Sequence, residues 1–258
     1  MDYELKGRVV AISGGTSGIG EELAHAFAEQ GAKVAVCGRN PKKIEAIKKR
    51  FSDDELPLLA CIADVSQNEQ LEKFAQDTVA EYGRLDVWIN NAGINCRKAF
   101  WDISETEWHD VVNTNFKATF YGCKFAAEEM KKTGGGVIIN TSSFTSLTPT
   151  AGLSIYSATK GAVDNMTRCF AVELAASNIR VNSVIPGYVV TPLTEKYVEE
   201  NFDRLTSLVP MKRLCLPEDL IGAYLFLASD ASAYINGIAL PVAGAKLCAQ
   251  NPHYSWNL

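Results

Sequence analysis

Seven short, nearly all-apolar runs alternate with six longer amphipathic ones almost to the end of this 258-residue chain. Nothing else in the sequence limits the fold as strongly. The runs "RVVAIS" (8–13), "KVAVCG" (33–38), "LLACIA" (58–63), "LDVWIN" (85–90), "GVIINTS" (136–142), "IRVNSVI" (179–185) and "GIALPV" (237–242) read as strands. Helical periodicity occupies 18–30, 41–51, 67–82, 105–131, 155–176 and 217–228. Strands apolar on both faces are what a parallel sheet covered by helices on each side demands. Regular strand–helix alternation implies βαβ units. The expectation is one α/β domain: a doubly wound parallel sheet of about seven strands with helices on both faces.

Composition excludes several alternatives. With 47% hydrophobic and 21% charged residues the chain can fill an ordinary core. A net charge of −5 leaves no basic excess for nucleic acid or an anionic membrane. Cys37, Cys61, Cys96, Cys123, Cys169, Cys215 and Cys248 are scattered without a C-x-x-C pair, which predicts a reduced, cytoplasmic protein with no disulfide framework. His25, His109 and His253 lack the spacing of a metal motif, so no metal is expected. The N-terminus carries no basic-then-apolar signal pattern and no apolar run reaches membrane-spanning length.

Two stretches break the rhythm. Residues 188–216 run on long after the sixth strand, and a connection of that length is expected to be a lid over a site. The tail 246–258 is aromatic but aperiodic, either disordered or covering an apolar patch.

Directly after the first strand comes "SGGTSGIG", with Gly14, Ser17, Gly18, Ile19 and Gly20 leading into a helix. Glycines allow a tight turn and close backbone approach, and the helix start offers unpaired N–H groups to a pyrophosphate. The second strand ends in "VCGRN", placing Gly38 and Arg39 where an NAD site carries an acid for the ribose hydroxyl. A guanidinium suits a 2′-phosphate instead, so NADP(H) is favoured, with NAD(H) possible. The other reading of Arg39 is a solvated charge over adenine, compatible with either cofactor.

Tyr156 and Lys160 stand four apart in a helical run and so share a face. A cation beside a phenol favours phenolate and makes Tyr a usable acid or base; lowering the Tyr156 pKa by two to three units from about 10 is expected of this ammonium helped by the positive nicotinamide of oxidised cofactor.

Taken in order, Gly14-x-x-x-Gly18-Ile19-Gly20, "NNAG" (90–93), Ser142-Ser143, Tyr156-x-x-x-Lys160 and Pro186-Gly187 resemble the short-chain dehydrogenase/reductases, and the likeness runs from about residue 6 to about 244. The resemblance implies a Rossmann-type fold and hydride transfer between a nicotinamide and an alcohol or ketone. Carried over residue by residue, it makes Tyr156 the acid/base, Lys160 its partner on the nicotinamide ribose, Ser143 the holder of the substrate oxygen and Asn115 the anchor of a water chain to the lysine. It also places Asp64 and Val65 beside adenine. Asn91 and Gly93 line the cofactor cleft, Pro186 and Val189 flank the nicotinamide, and Thr191 bonds its carboxamide. Three positions depart from the family pattern: Ser13 for Thr, Ser17 for a basic residue, and "PVAGA" with Ala243 and Ala245 for Val-Asp-Gly-Gly. The last puts the usual C-terminal packing and subunit contacts in doubt.

For substrate, Arg97 resembles members acting on sugar acids and polyols, the gluconate and deoxygluconate dehydrogenases among them, and could grip a carboxylate through two donors. A salt bridge on the cleft rim is the alternative. Those relatives often carry an acid at the end of strand two, unlike this chain, and the segment lacks the pattern of acyl-carrier-protein reductases. Trp101, Tyr188 and Phe202 read as packing residues rather than pocket walls. The leading expectation is an NADP(H)-dependent dehydrogenase or reductase of a small-molecule secondary alcohol or ketone. The rivals are a reductase of apolar ketones and a dinucleotide-sensing regulator without turnover. Helices 105–131 and 155–176 have apolar faces suited to a homodimer or homotetramer.

Overall fold

The structure, a computed structural model, describes residues 3–248. Its centre is a seven-stranded sheet in the order β3-β2-β1-β4-β5-β6-β7. The strands are β1 (Val9–Ser13), β2 (Lys33–Gly38), β3 (Leu58–Ile62), β4 (Val87–Asn90), β5 (Gly136–Thr141), β6 (Ile179–Pro186) and β7 (Ala239–Val242). Every adjacent pair is parallel. Strand order reverses between β1 and β4, and such a reversal opens a crevice at the carboxyl ends of the strands.

The helices are α1 (Ile19–Glu29), α2 (Pro41–Asp53), α3 (Asn68–Tyr82), α4 (Glu105–Val112), α5 (Ala118–Lys132), α6 (Ser154–Leu174), α7 (Glu195–Ser207) and α8 (Glu218–Ala228). Period-two alternation splits the strand residues between two cores. Val10, Ile12, Val34, Val36 and Ile89 pack with Leu23, Phe27, Leu220 and Tyr224 of α1 and α8. Val9, Ala11, Ala35, Trp88 and Ile138 pack with Leu71, Phe74, Phe125 and Met130 of α3 and α5. Each fully buried side chain of this size contributes roughly 1.5–3 kcal/mol of transfer free energy. Polar groups are buried in pairs: Trp88 Nε1 donates to Asn90 Oδ1 (2.7 Å), Asn90 Nδ2 to Asn140 Oδ1 (2.9 Å), and Asn140 Nδ2 to Thr167 Oγ1 (3.0 Å). Removing one member would strand its neighbour's donor or acceptor in the core.

Two elements differ from the sequence expectation. The helix expected over 105–131 is broken by one wide turn, Asn113–Lys117, between α4 and α5. A π turn of this kind inserts a residue into the helical ladder, and it turns Asn115 inward, where it is fully buried. The long connection 188–216 is not structureless: it contains α7, whose Val198 and Leu205 pack with Leu214, Tyr188 and Tyr197. Its neck is tied by hydrogen bonds from Val190 N to Cys215 O and from Cys215 N to Tyr188 O, both 2.9 Å. The spacing of Tyr197, Val198 and Leu205 was the signal for that helix, masked by the surrounding charges.

All seven cysteines are free. Burial pushes the Cys37 and Cys123 thiols up to about 12. His25 lies between Asp54 (2.9 Å) and Glu29 (3.5 Å), and His109 beside Glu105 (3.6 Å); His253 lies outside the described residues. Among the described residues no helix is long and apolar enough to cross a membrane.

Candidate active site

The crevice at the strand-order reversal is a cleft of about 420 Å³, walled by Gly14, Thr16, Ser17, Gly18, Ile19, Gly38, Arg39, Asn40, Lys43, Val65, Asn91, Gly93 and Thr191. Its floor is the turn between β1 and α1. Gly18 has φ +56°, a left-handed conformation that costs other residues strain, and caps α1 without any side-chain hydrogen bond. The first N–H groups of α1 therefore remain available to an anion. Gly20 is required by space, since a Cβ there would overlap the Gly14 carbonyl oxygen and lie 2.6 Å from Asn91 Nδ2. Asn91 holds the turn by donating from Nδ2 to Gly14 O (3.0 Å), while Ser13 Oγ accepts from Asn91 N (3.2 Å). The Ser13 hydroxyl thus does the work a Thr would do.

At the adenosine end, Arg39 is 59% exposed and its Nη1 lies 3.8 Å from Asp64 Oδ2. Lys43, in the first turn of α2, lines the same wall and was missed in the sequence reading. Its signal was the spacing of four from Arg39, in a helix whose N-cap Asn40 accepts from Lys42 N (2.9 Å). Val65 lines the cleft, and Asp64 stands behind Arg39 at its edge. The Oδ1 of Asp64 accepts from Ser66 N (3.0 Å) and Ser66 Oγ (2.8 Å), which fixes the turn after β3. Two cations, a capless helix start and a glycine-lined floor together fit a dinucleotide carrying a phosphate on its adenosine ribose.

A second hollow of about 150 Å³ continues from the first, sharing Ile19, Asn91, Gly93 and Thr191. Ser143, Tyr156, Lys160, Pro186, Val189 and Arg97 line it, with Phe144, Tyr188, Tyr197 and Val198 as apolar walls. Ser143 Oγ accepts from Thr145 N (3.2 Å) and Thr145 Oγ1 (3.1 Å), so its own proton is left to donate inward. Thr145, another residue the sequence did not flag, thereby orients it. Ser142 also lines the hollow, but its hydroxyl is engaged, donating to Lys160 O (3.4 Å). Thr191 and Thr194 hydroxyls meet at 3.1 Å, and Thr194 Oγ1 donates to Val189 O (2.6 Å), which fixes the turn into α7.

Lys160 is 4% exposed. Its ammonium donates to Thr141 O (2.7 Å) and stands 5.8 Å from the centre of the Tyr156 ring. Burial pulls Lys160 down to about 8, against the opposing pull of Asp164. Burial likewise raises Tyr156, with the neighbouring Ser143 hydroxyl acting the other way. Desolvation of the hydroxyl thus acts against the lowering expected from the sequence, which counts on the positive charge of oxidised cofactor as well as on the ammonium. Asn115 Oδ1 accepts from Ile94 N and its Nδ2 donates to Ile94 O, both 2.8 Å. It thus pins the loop after β4, whose Gly93 faces both Asn115 Oδ1 and Lys160 Nζ.

Arg97 stacks on Tyr197 of α7, its guanidinium carbon 3.8 Å from the ring centre. Among the described residues it has no carboxylate partner, so the rim salt bridge is not formed. Among the described residues no Asp or Glu lines this hollow. Tyr188 proves to be a pocket wall, its ring 4.6 Å from that of Phe144. Trp101 and Phe202, at 73% and 53% exposure, belong to neither pocket nor core. Of the tail, residues 249–258 lie outside the described residues. Lys246, just before them, rests 5.0 Å and 5.1 Å from the ring centres of Tyr188 and Phe144. Ala243 and Ala245 belong to the turn that carries it there.

A doubly wound sheet with a nucleotide-sized cleft at its reversal, opening onto a Ser-Tyr-Lys hollow, defines a dinucleotide-dependent oxidoreductase. Comparison with known proteins agrees: residues 8–201 match the short chain dehydrogenase family, and the chain belongs to it. It is thus an oxidoreductase acting on CH–OH groups of small molecules. The chain is 34% identical to the 3-oxoacyl-acyl-carrier-protein reductase of Thermotoga maritima, over 93% of this chain and 98% of that one. It is also 34% identical to gluconate 5-dehydrogenase of Gluconobacter oxydans, over 94% and 95%. A gluconate 5-dehydrogenase of Burkholderia cenocepacia, solved in complex with NADP and tartrate, superposes with a TM-score of 0.91 at 32% identity, covering 96% of this chain and 98% of that one.

Proposed function

We propose that the protein is an NADP(H)-dependent oxidoreductase interconverting a secondary alcohol and a ketone on a small molecule that carries a carboxylate, a sugar acid or related polyol acid. The observation that carries the substrate reading is Arg97, a guanidinium stacked on Tyr197 in a hollow where, among the described residues, no acid lines the wall and no carboxylate pairs with it. A planar fork of donors held flat by an aromatic ring is prepared for bidentate contact with a carboxylate. Arg39 and Lys43 support NADP(H), as does the NADP-bound gluconate 5-dehydrogenase structure.

The bound nicotinamide supplies or accepts the hydride, and in its oxidised form adds positive charge beside the phenol. The chain's residues do the rest. In the reducing direction Ser143 donates to the carbonyl oxygen and fixes it. Tyr156 passes its proton to that oxygen as hydride reaches carbon, leaving a phenolate. Lys160 holds that anion and the nicotinamide ribose, and Asn115 keeps the loop after β4 in register with the lysine. A phenol raised by burial is a ready proton donor for reduction, and oxidation requires the charge of the oxidised cofactor to bring it down. Residues 188–216 act as the lid, carrying Tyr197 and Val198 onto the hollow. Assembly into a homodimer or homotetramer through α5 and α6 completes the reading. The Phe120 and Phe170 rings, 5.5 Å apart, and the exposed Val172 form an apolar strip across both helices.

The test is turnover of NADPH and NADH, followed by nicotinamide absorbance, against matched panels of keto acids and neutral ketones. Keto acids are expected to turn over with NADPH. Preference for neutral apolar ketones would select the rival reductase, and NADPH binding with no turnover across both panels would select the sensor.

A further inference from the structure

Asp164 lies on α6 one turn beyond Lys160 and two beyond Tyr156, on the same buried face. It is 3% exposed, and the reaction as derived does not use it. One carboxylate oxygen, Oδ1, accepts from Ser183 Oγ on β6 (2.9 Å); the other, Oδ2, is buried with no partner. No Lys, Arg or His among the described residues forms an ion pair with it. Lys160 is in the mirror position: buried, bonded to one backbone carbonyl, and paired with no acid. Isolated buried charges of either sign are strongly disfavoured, and the spacing of four along α6 sets these two groups on one buried face.

We infer that Asp164 is a positioning residue of the site, whose buried carboxylate is the counter-charge that keeps Lys160 an ammonium. The inference rests on the assignment of Lys160 to the reaction for its purpose, but not for its test. Among the described residues the surroundings of Lys160 offer no other candidate. Thr141 and Ser142 at the end of β5, Ser143 beyond them, Gly93 after β4 and Asn115 in the wide turn carry no charge. Tyr156 is neutral in the resting site. On α4, Glu107 is engaged by Lys98 and His109 by Glu105, while Glu105 and Asp110 are exposed. On α5, Lys124 pairs with Glu128 at the surface, and Lys117 reaches Ser66 O at 3.4 Å. Arg180, at the opposite end of β6, is bonded to Ser229 O (3.0 Å) and Ile235 O (3.4 Å). A structural role for Asp164 would be the clasp to Ser183 alone, which an amide can keep because its oxygen still accepts.

The experiment is a pH titration of the apo protein labelled at lysine Cε and followed by NMR, with the Lys160 signal identified by its loss in Lys160→Arg. The wild-type midpoint is expected near 8. Asp164→Asn is expected to lower it by about half a unit to one unit, the effect of removing one buried charge a helix turn away. Asp164→Ser serves as the second variant and is expected to shift it the same way. An unchanged or raised midpoint in either variant overturns the inference. So does a wild-type midpoint below about 6, which an uncompensated buried ammonium would show. Because neither cofactor nor substrate is present, a failure here leaves the proposed reaction standing, and an inactive enzyme with the expected shift leaves Asp164 in place.

Discussion

Replacing Arg39 by Ala should weaken NADPH while sparing NADH, and the size of the effect follows from the geometry. A charge-assisted hydrogen bond to a phosphate contributes about 1.5–3 kcal/mol when shielded, whereas an exposed ion pair contributes about 0.2–1 kcal/mol. Arg39 is 59% exposed and already lies 3.8 Å from Asp64, so water and a rival anion both reduce its value. An intermediate figure of about 1–2 kcal/mol corresponds to a loss of roughly five- to thirtyfold in NADPH affinity. NADH, lacking the 2′-phosphate, should change by less than about twofold, and the NADPH effect should shrink as salt is raised. Lys43→Ala should act in the same direction, and Asp64→Asn in the opposite one by freeing the guanidinium. The assay is fluorescence titration of each variant with both cofactors at two ionic strengths. Equal losses for NADPH and NADH, or none for either, would refute the assignment of Arg39 to the 2′-phosphate.

Tyr156→Phe removes the proton donor but no wall of the dinucleotide cleft; turnover should fall by about 10²-fold or more with NADPH binding retained, and full activity would remove the phenol from the reaction. Arg97→Met should raise KM about tenfold for acidic substrates with kcat nearly unchanged, as expected when uniform binding is lost; equal effects on neutral ketones would show that Arg97 shapes the pocket without reading charge. Because burial depresses Lys160 from its ordinary 10.5 to about 8, the folded protein binds fewer protons than the unfolded chain between those values. Its burden of a buried charge is therefore full below about pH 8 and is relieved as pH rises toward 10.5. Wild-type stability should rise by on the order of 3 kcal/mol at most between about pH 8 and 10.5, and Lys160→Met should lack that rise in denaturant titrations; the same rise in both proteins would show that Lys160 does not carry it.

The chain's order of apolar and amphipathic runs determined the parallel sheet by itself, because strands covered on both faces and helices covered on one leave different periodicities. The glycine spacing, Tyr156, Lys160, Ser143 and Arg39 were legible for a related reason: each is bound to a local turn or helix face that the sequence specifies. Tertiary structure alone decided the rest. Only packing revealed that Arg97 stacks on Tyr197, a hundred residues on, and that Lys246 returns to the Phe144–Tyr188 wall. Only the tertiary structure shows how deeply Tyr156 is buried, a desolvation that opposes the pull of a neighbouring cation. Only the folded turn after β3 shows that one oxygen of Asp64 is bonded to Ser66 while the other faces Arg39. Periodicity reports which way a residue faces along its own element; charge, solvent and partners at that face come from elements far away in the chain, and they set the chemistry.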